Sequence, residues 1–349
     1  MQRKRSRYAT TSVRTSAFAL LGAAAAGIAL AGCGGGGAME RDPDVVTVYT
    51  GRHYGIEDVF DQFTEETGIK VRFTSGSDPE LRERLVAEGD NSPADIYMTA
   101  DAANIDLAAT AGVLRAIDSP VLEAAIPEDL RSADDYWFGL SERARVVMYS
   151  TERVTDPPVT YAEVGDPMWN GRLCMRPSTL PYMQSLTAAL IDQFGEDDTR
   201  AMVESWVAND PLYIDSDVDI IKAIDKGDCD VAIANTYYLG QIQAENPDIA
   251  VAISWPDQDT RGAHVNVSAA GITANAPNPT GAQQLIEWLA TDGNGTFANS
   301  NYEYPANPEV TESPIVAAWG DFVANTGAVR RLGELNSTAV DLLSDAGYK

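Results

Sequence analysis

From Val45 onward the chain alternates short β-branched runs with stretches of helical periodicity, and that rhythm is the strongest constraint on its fold. Val45–Thr50 reads as a strand. Ile56–Thr67 reads as a helix with Val59, Phe60 and Phe63 on one side, stopped at Gly68. Strand-like Ile69–Thr74, helical Pro79–Glu88, strand-like Asp95–Ala100 and helical Ala102–Ala111 follow in turn. A second cycle begins near Arg145–Tyr149. It runs through Arg172–Met175, a helix at Gln184–Phe194, a helix at Asp217–Lys226 stopped by Gly227, and Cys229–Ala234. Alternation at this spacing predicts a parallel α/β sheet. A length of 349 residues, at ~100–200 residues per domain, predicts two α/β lobes, a shape suited to clamping a ligand between them.

The segment before Val45 has a different character. Arg3, Lys4, Arg5, Arg7 and Arg14 precede an Ala/Leu-rich stretch, Ala17 to Gly32, that is short for a membrane span. Leu30-Ala31-Gly32-Cys33 resembles the lipobox of bacterial-type lipoproteins, which implies cleavage before Cys33 and lipidation of its thiol; an ordinary short signal peptide is the alternative. Residues 1–32 are therefore expected to be a signal peptide, and residues 33–44 a lipidated cysteine followed by a flexible tether at Gly34–Gly37.

Charge narrows the function. The whole chain carries 52 acidic and 25 basic side chains, a net −27. Removing residues 1–32 takes away five basic residues and no acidic one, leaving −32. Such a chain is a poor partner for nucleic acid, whose backbone must be neutralised by Lys and Arg. The acidity reads first as solubility. Beyond Cys33 two cysteines remain, Cys174 and Cys229. Outside the cytoplasm an even pair reads as a disulfide, with two inert thiols as the alternative; closing this loop is worth about 4 kcal/mol in the chain-entropy model.

Catalytic signatures are missing. The sequence has no G-x-S-x-G, no H-E-x-x-H and no G-x-x-x-x-G-K-[ST], and only two histidines, His53 and His264. Asp215-Ser-Asp217-Val-Asp219 imitates a calcium loop, but Ile220 stands where its glycine belongs and Lys226 where its glutamate belongs. Asp217 or Asp219 is expected to serve a helix N-terminus instead.

Tyrosine is the unusual feature. Tyr237-Tyr238 directly follows a strand, with Thr236 as a candidate N-cap that puts both in the first helical turn. There their side chains diverge by only ~100° and can reach one ion. A free phenol ionises near pH 10, and a helix N-terminus helps it become a phenolate. Taken alone, a Tyr-Tyr pair is usually packing.

Four stretches together change that reading: Val48-Tyr-Thr-Gly-Arg-His-Tyr54, Gly227 through Gly240 with its Asn235-Thr-Tyr-Tyr238 core, His264-Val-Asn-Val-Ser268, and Asn301-Tyr-Glu-Tyr-Pro305. They resemble, in order and over nearly all of residues 45–345, the ferric-ion-binding solute receptors of ABC importers. The resemblance implies a two-lobed α/β periplasmic-binding-protein fold closing on Fe³⁺ held mainly by tyrosine phenolates. It implies Tyr54, Tyr237 and Tyr238 as ligands, with His53 either a ligand or a group orienting a tyrosine. Arg176-Pro-Ser-Thr-Leu-Pro-Tyr182 resembles the segment that adds a further tyrosine ligand, Tyr182, in the multi-tyrosine branch. The lobes are expected at 45–144 plus 268–318 and at 145–267 plus 319–349.

Ligand chemistry agrees, since hard Fe³⁺ suits phenolate oxygen better than thiolate sulfur. Four phenolates on Fe³⁺ leave one negative charge that a closed cleft must balance. Arg52 is the expected charge-balancing or anion-holding residue, with Arg143, Arg145 and Arg176 also near the motifs and carbonate a candidate co-ligand; His264 is expected to be structural. The implied function is capture of extracytoplasmic Fe³⁺ by a monomeric, lipid-anchored binding protein, not an enzyme, and delivery to an ABC permease and its ATPase. Alternatives are the same fold taking a phosphonate or thiamine-like ligand, or a lipid-anchored α/β hydrolase.

Overall fold

The computed structural model describes residues 44–52 and 55–349. The lipobox cysteine Cys33, and both His53 and Tyr54, lie outside the described residues.

Val45–Thr50 is a strand of β-branched residues buried on both faces. The helix Ile56–Thr67 buries Ile56, Val59, Phe60 and Phe63 against it, the i, i+3, i+4, i+7 stripe of an amphipathic helix, and ends at Gly68 with φ 79°. Lys70–Ser75 and Ile96–Thr99 flank Val45–Thr50, both parallel to it. Asp78–Glu88 starts with a reciprocal Ser77–Glu80 capping box, and Ala102–Thr110 is capped by Asp101.

The expected all-parallel sheet gives way to a mixed one. Two long strands, Phe138–Ser150 and Ala263–Thr273, run antiparallel to each other and thread the whole molecule. Ala263–Thr273 pairs antiparallel with Ile96–Thr99 through residues 269–272. Phe138–Ser150 changes partners midway: residues 138–144 pair with Ala263–Thr273, and residues 145–149 pair with Val231–Asn235. That exchange divides the sheet into two halves. The second half continues through Leu173–Met175, parallel to Val231–Asn235, and carries helices Pro181–Phe194, Glu196–Ala208, Asp217–Lys226 and Thr236–Glu245. The exchange point of the sheet, its geometric hinge, is Ala144/Arg145. Cys174 and Cys229 form a disulfide inside the second half, fixing Leu173–Met175 to the entrance of Val231–Asn235.

Apolar packing does not stop at the exchange: the larger core cluster joins Val46, Ile96 and Phe138 of the first half to Cys174, Ala189 and Ile224 of the second. A separate core cluster in the second half gathers Trp169, Met183, Leu186, Trp206 and Ile233. The C-terminal helix Leu332–Asp345 reaches both halves: Leu342 and Leu343 enter that cluster, whereas Gly333 packs against Asp106 of the first half. No helix among the described residues is long and apolar enough to cross a membrane.

Candidate functional site

The site forms where two helices of the second half start beside the hinge. Val231–Asn235 is wholly buried, and the chain turns from it directly into Thr236–Glu245. The N-cap is Asn235, one residue earlier than expected, because the Thr236 hydroxyl instead accepts the Ala144 N–H of the hinge at 3.3 Å. Tyr237 and Tyr238 then fall in the first turn, 4% and 8% exposed, with ring centroids 4.0 Å apart. Pro181–Phe194 begins three residues before the expected Gln184, since Pro181 suits a first turn that needs no N–H partner. This start places Tyr182 in its first turn, and the Tyr237 hydroxyl donates to the Tyr182 oxygen at 3.4 Å. Three of the expected tyrosines thus converge at two helix N-termini.

Burial pushes the Tyr237 and Tyr238 phenols well above their ordinary range, and the neighbouring phenols add to it. Ionising Tyr237 or Tyr238 therefore requires a positive charge nearby. Arginines surround the cluster. The guanidinium carbons of Arg145 and Arg176 lie 5.8 and 5.7 Å from the Tyr182 ring centroid. Arg145 pairs with Asp217 at 3.2 Å and donates to the Asn235 side chain and the Ile233 carbonyl. Asp217 therefore anchors an arginine, and it and Asp219 stand, as expected, in the first turn of Asp217–Lys226, which Ser216 caps. Arg143, 2% exposed, has no hydrogen-bond partner for either terminal nitrogen among the described residues. Arg143, Arg145, Tyr182, Asn235, His264 and Asn266 line one narrow crevice at the hinge. Burial and the two arginines push His264 down to about 3, so it is neutral there.

Arg52, the expected charge-balancing residue, is otherwise engaged. Its guanidinium pairs with Glu303, donates to Ser141 at 3.1 Å, Ser268 at 3.3 Å and the Phe297 carbonyl at 2.5 Å, and stacks 3.9 Å over the Phe297 ring. The reason is that its strand ends against the first half's own loop, where Glu303 supplies a buried counter-charge. Among the described residues no group of three or more His, Cys, Asp or Glu side chains stands close enough to hold a metal ion. A cation in this cleft would meet phenol oxygens first.

Sequence reasoning missed Asp101, Ser185 and Gln241, which join the halves around the tyrosines. Asn266 and Asn301 sit inside quoted motifs, yet their spacing announced no role.

Comparison with known proteins agrees with this geometry. Residues 58–324 match the family of bacterial extracellular solute-binding proteins. Iron uptake protein A1 of Synechocystis sp. is 39% identical over 316 residues, covering 87% of each chain. The Trichodesmium protein (IdiA, FutA), solved in complex with iron and citrate, superposes with a TM-score of 0.82 at 36% identity, covering 87% of this chain and 100% of that one. The ferric binding protein from Campylobacter jejuni superposes with a TM-score of 0.82 at 31% identity, again over 87% and 100%. The chain thus has the two-lobed periplasmic-binding-protein fold of the structures it superposes on. Matched by the family's pattern over most of its length and by its relatives in both sequence and fold, the chain belongs to the bacterial extracellular solute-binding proteins.

Proposed function

We propose that this protein captures Fe³⁺ outside the cytoplasm and hands it to an ABC permease with its ATPase, acting as a binding protein rather than an enzyme. The observation that carries the reading is the convergence of Tyr182, Tyr237 and Tyr238 under a ring of arginines. Tyr54 completes the ligand set in this proposal, with His53 as a ligand or as the group orienting a tyrosine. Four phenolates around Fe³⁺ leave a net negative charge; Arg143 supplies the balancing cation or holds a small anion such as carbonate. The names of the relatives support iron as cargo, and the lipobox-like Cys33 supports attachment to the outer face of the cell membrane by a lipid. The lobes are proposed to divide at residue 144/145, where the long strand exchanges partners.

Titration of the soluble domain with ferric ion, followed by visible absorption, tests the proposal. Phenolate-to-iron charge transfer should colour the parent protein. Tyr237→Phe and Tyr238→Phe keep shape while removing one oxygen each, and should lose most of the colour and bind at least tenfold more weakly with an unchanged circular dichroism spectrum. Parental affinity in both variants would overturn the assignment. A colourless parent that binds a phosphonate would favour the alternative ligand class.

A further inference from the structure

Both helices that present phenols are tied to the opposite half of the molecule three residues beyond a tyrosine. Three positions along a helix return to the same face. The side chain that bridges the halves and the phenol that meets cargo therefore point the same way on each helix.

On Pro181–Phe194, the residue after Tyr182 by three is Ser185. Its hydroxyl donates to Asp101 Oδ2 at 2.6 Å, across from the second half to the first. Asp101 is fixed on its own side. Its Oδ1 accepts the Asn104 N–H at 3.1 Å, capping Ala102–Thr110, and its Oδ2 also accepts from Asn266 of the long strand at 2.8 Å. Asn266 in turn accepts the Ala102 N–H at 2.9 Å. Ser185 and Asp101 are each 1% exposed, so water does not compete for this bond.

On Thr236–Glu245, the residue after Tyr238 by three is Gln241. Its amide donates to Asn301 Oδ1 at 2.7 Å. Asn301 donates to Glu303 Oε1 at 3.0 Å, and Glu303 pairs with Arg52. Between Asn301 and Glu303, Tyr302 takes φ 55°, a left-handed backbone that a bulky residue rarely adopts. Its Cβ occupies the space above Gly240, where an added Cβ would stand 2.5 Å from it. A motif the ligand chemistry leaves unexplained, Asn301-Tyr-Glu-Tyr-Pro305, thus docks the first half onto the helix that carries Tyr237 and Tyr238.

We propose that Ser185–Asp101 and Gln241–Asn301 are paired closure latches: positioning residues that hold the two halves together over the tyrosine cluster and set how fast cargo leaves. A latch of this kind stabilises the closed cleft without touching the cargo, so its loss speeds opening and leaves the ligand set intact. The cargo named in the test rests on the ferric reading; the latches themselves do not.

The experiment compares the parent soluble domain with Ser185→Ala, Gln241→Ala and the double variant. Two readouts are taken: X-ray scattering of the iron-free proteins, and the rate of Fe³⁺ transfer to excess chelator followed by the visible band. Losing the buried Ser185–Asp101 bond, or the part-buried Gln241–Asn301 bond, is expected to speed release roughly five- to tenfold per single variant, and ~30-fold or more for the pair. The position of the band at saturation should not move, because all phenols remain. The iron-free double variant should show a larger radius of gyration, and Ser185→Thr, which keeps the hydroxyl, should restore the parental release rate. Gln241 is only partly buried, so Gln241→Ala carries the test if Ser185→Ala fails to fold. Release at the parental rate with unchanged scattering in the folded variants overturns the latches. A parent that never colours with iron overturns the ferric reading alone, and scattering still decides the latches.

Discussion

Arg52, two residues past Val45–Thr50, and Arg143, on Phe138–Ser150, are both buried, 3% and 2% exposed, and their surroundings are opposite. Arg52 is enclosed by a carboxylate, two hydroxyls, a carbonyl and an aromatic face. For Arg143 neither terminal nitrogen meets an acceptor among the described residues. A desolvated guanidinium whose two terminal nitrogens both meet acceptors holds structure together; one whose terminal nitrogens meet none keeps its charge available to whatever anion forms beside it. Of the four arginines near the motifs, Arg52 adjoins His53-Tyr54 and is tied to Glu303, Ser141, Ser268 and Phe297, whereas Arg143 stands in the crevice with Tyr182, and the proposed charge-balancing role goes to Arg143 on that contrast.

Breaking the first member of this comparison should have the largest effect. Arg52→Met strands Glu303 in the interior, and losing one partner of a buried ion pair costs about 3–5 kcal/mol. Urea unfolding of the iron-free protein should report a loss of that size. A loss under about 1 kcal/mol would mean that Glu303 finds another partner or takes up a proton without penalty.

Arg143→Met should behave in the opposite way. Removing an unpaired buried charge leaves the stability of the iron-free fold unchanged or slightly raised. Iron affinity should fall roughly 10–100-fold, the scale of one cation acting over about 6 Å at an effective dielectric constant near 20. Competition with a calibrated chelator measures it. A variant that loses stability but keeps affinity would reverse the two roles.

Acidification gives the finest test. The buried phenols of Tyr237 and Tyr238 hold their protons more tightly than a free tyrosine does, and each must lose one to bind iron. Binding therefore releases protons, weakens as pH falls, and bleaches the visible band reversibly. Because Arg143 favours the phenolates, Arg143→Met should bleach at a higher pH than the parent. A ten- to hundredfold loss of affinity spread over four phenol protons corresponds to roughly 0.25–0.5 pH unit. Arg52→Met, where folded, should bleach close to the parental midpoint. Equal shifts in both variants would erase the distinction between the two arginines.

Much of this protein was legible in the order of its residues. Helix and strand positions agree within a few residues wherever the signal is local: the stripe of Ile56, Val59, Phe60 and Phe63 with its Gly68 stop, or Asp217–Lys226 ending at Gly227. The Tyr237-Tyr238 pair at a helix start and the pairing of Cys174 with Cys229 were likewise readable, the first from a strand-to-helix switch, the second from counting cysteines outside the cytoplasm. Local periodicity and turn chemistry act over a few residues, so a linear reading captures them.

The long strand Phe138–Ser150 was read only from Arg145 onward, because Ser141, Glu142 and Arg143 interrupt its apolar pattern. Two polar residues of this strand meet partners from elsewhere in the chain: Ser141 meets Arg52 and Glu303, and Arg145 meets Asp217 and Asn235. The mixed sheet follows from the same strand, whose two halves pair with different partners. Sequence alone determined most of the elements, the disulfide and the place of Tyr237 and Tyr238 at a helix start. Tertiary structure alone decided which arginine keeps an available charge and which side chains join the halves, since a buried charge or hydrogen bond is set by residues such as Asp101 and Ser185 that lie 84 positions apart and meet only when the chain is folded.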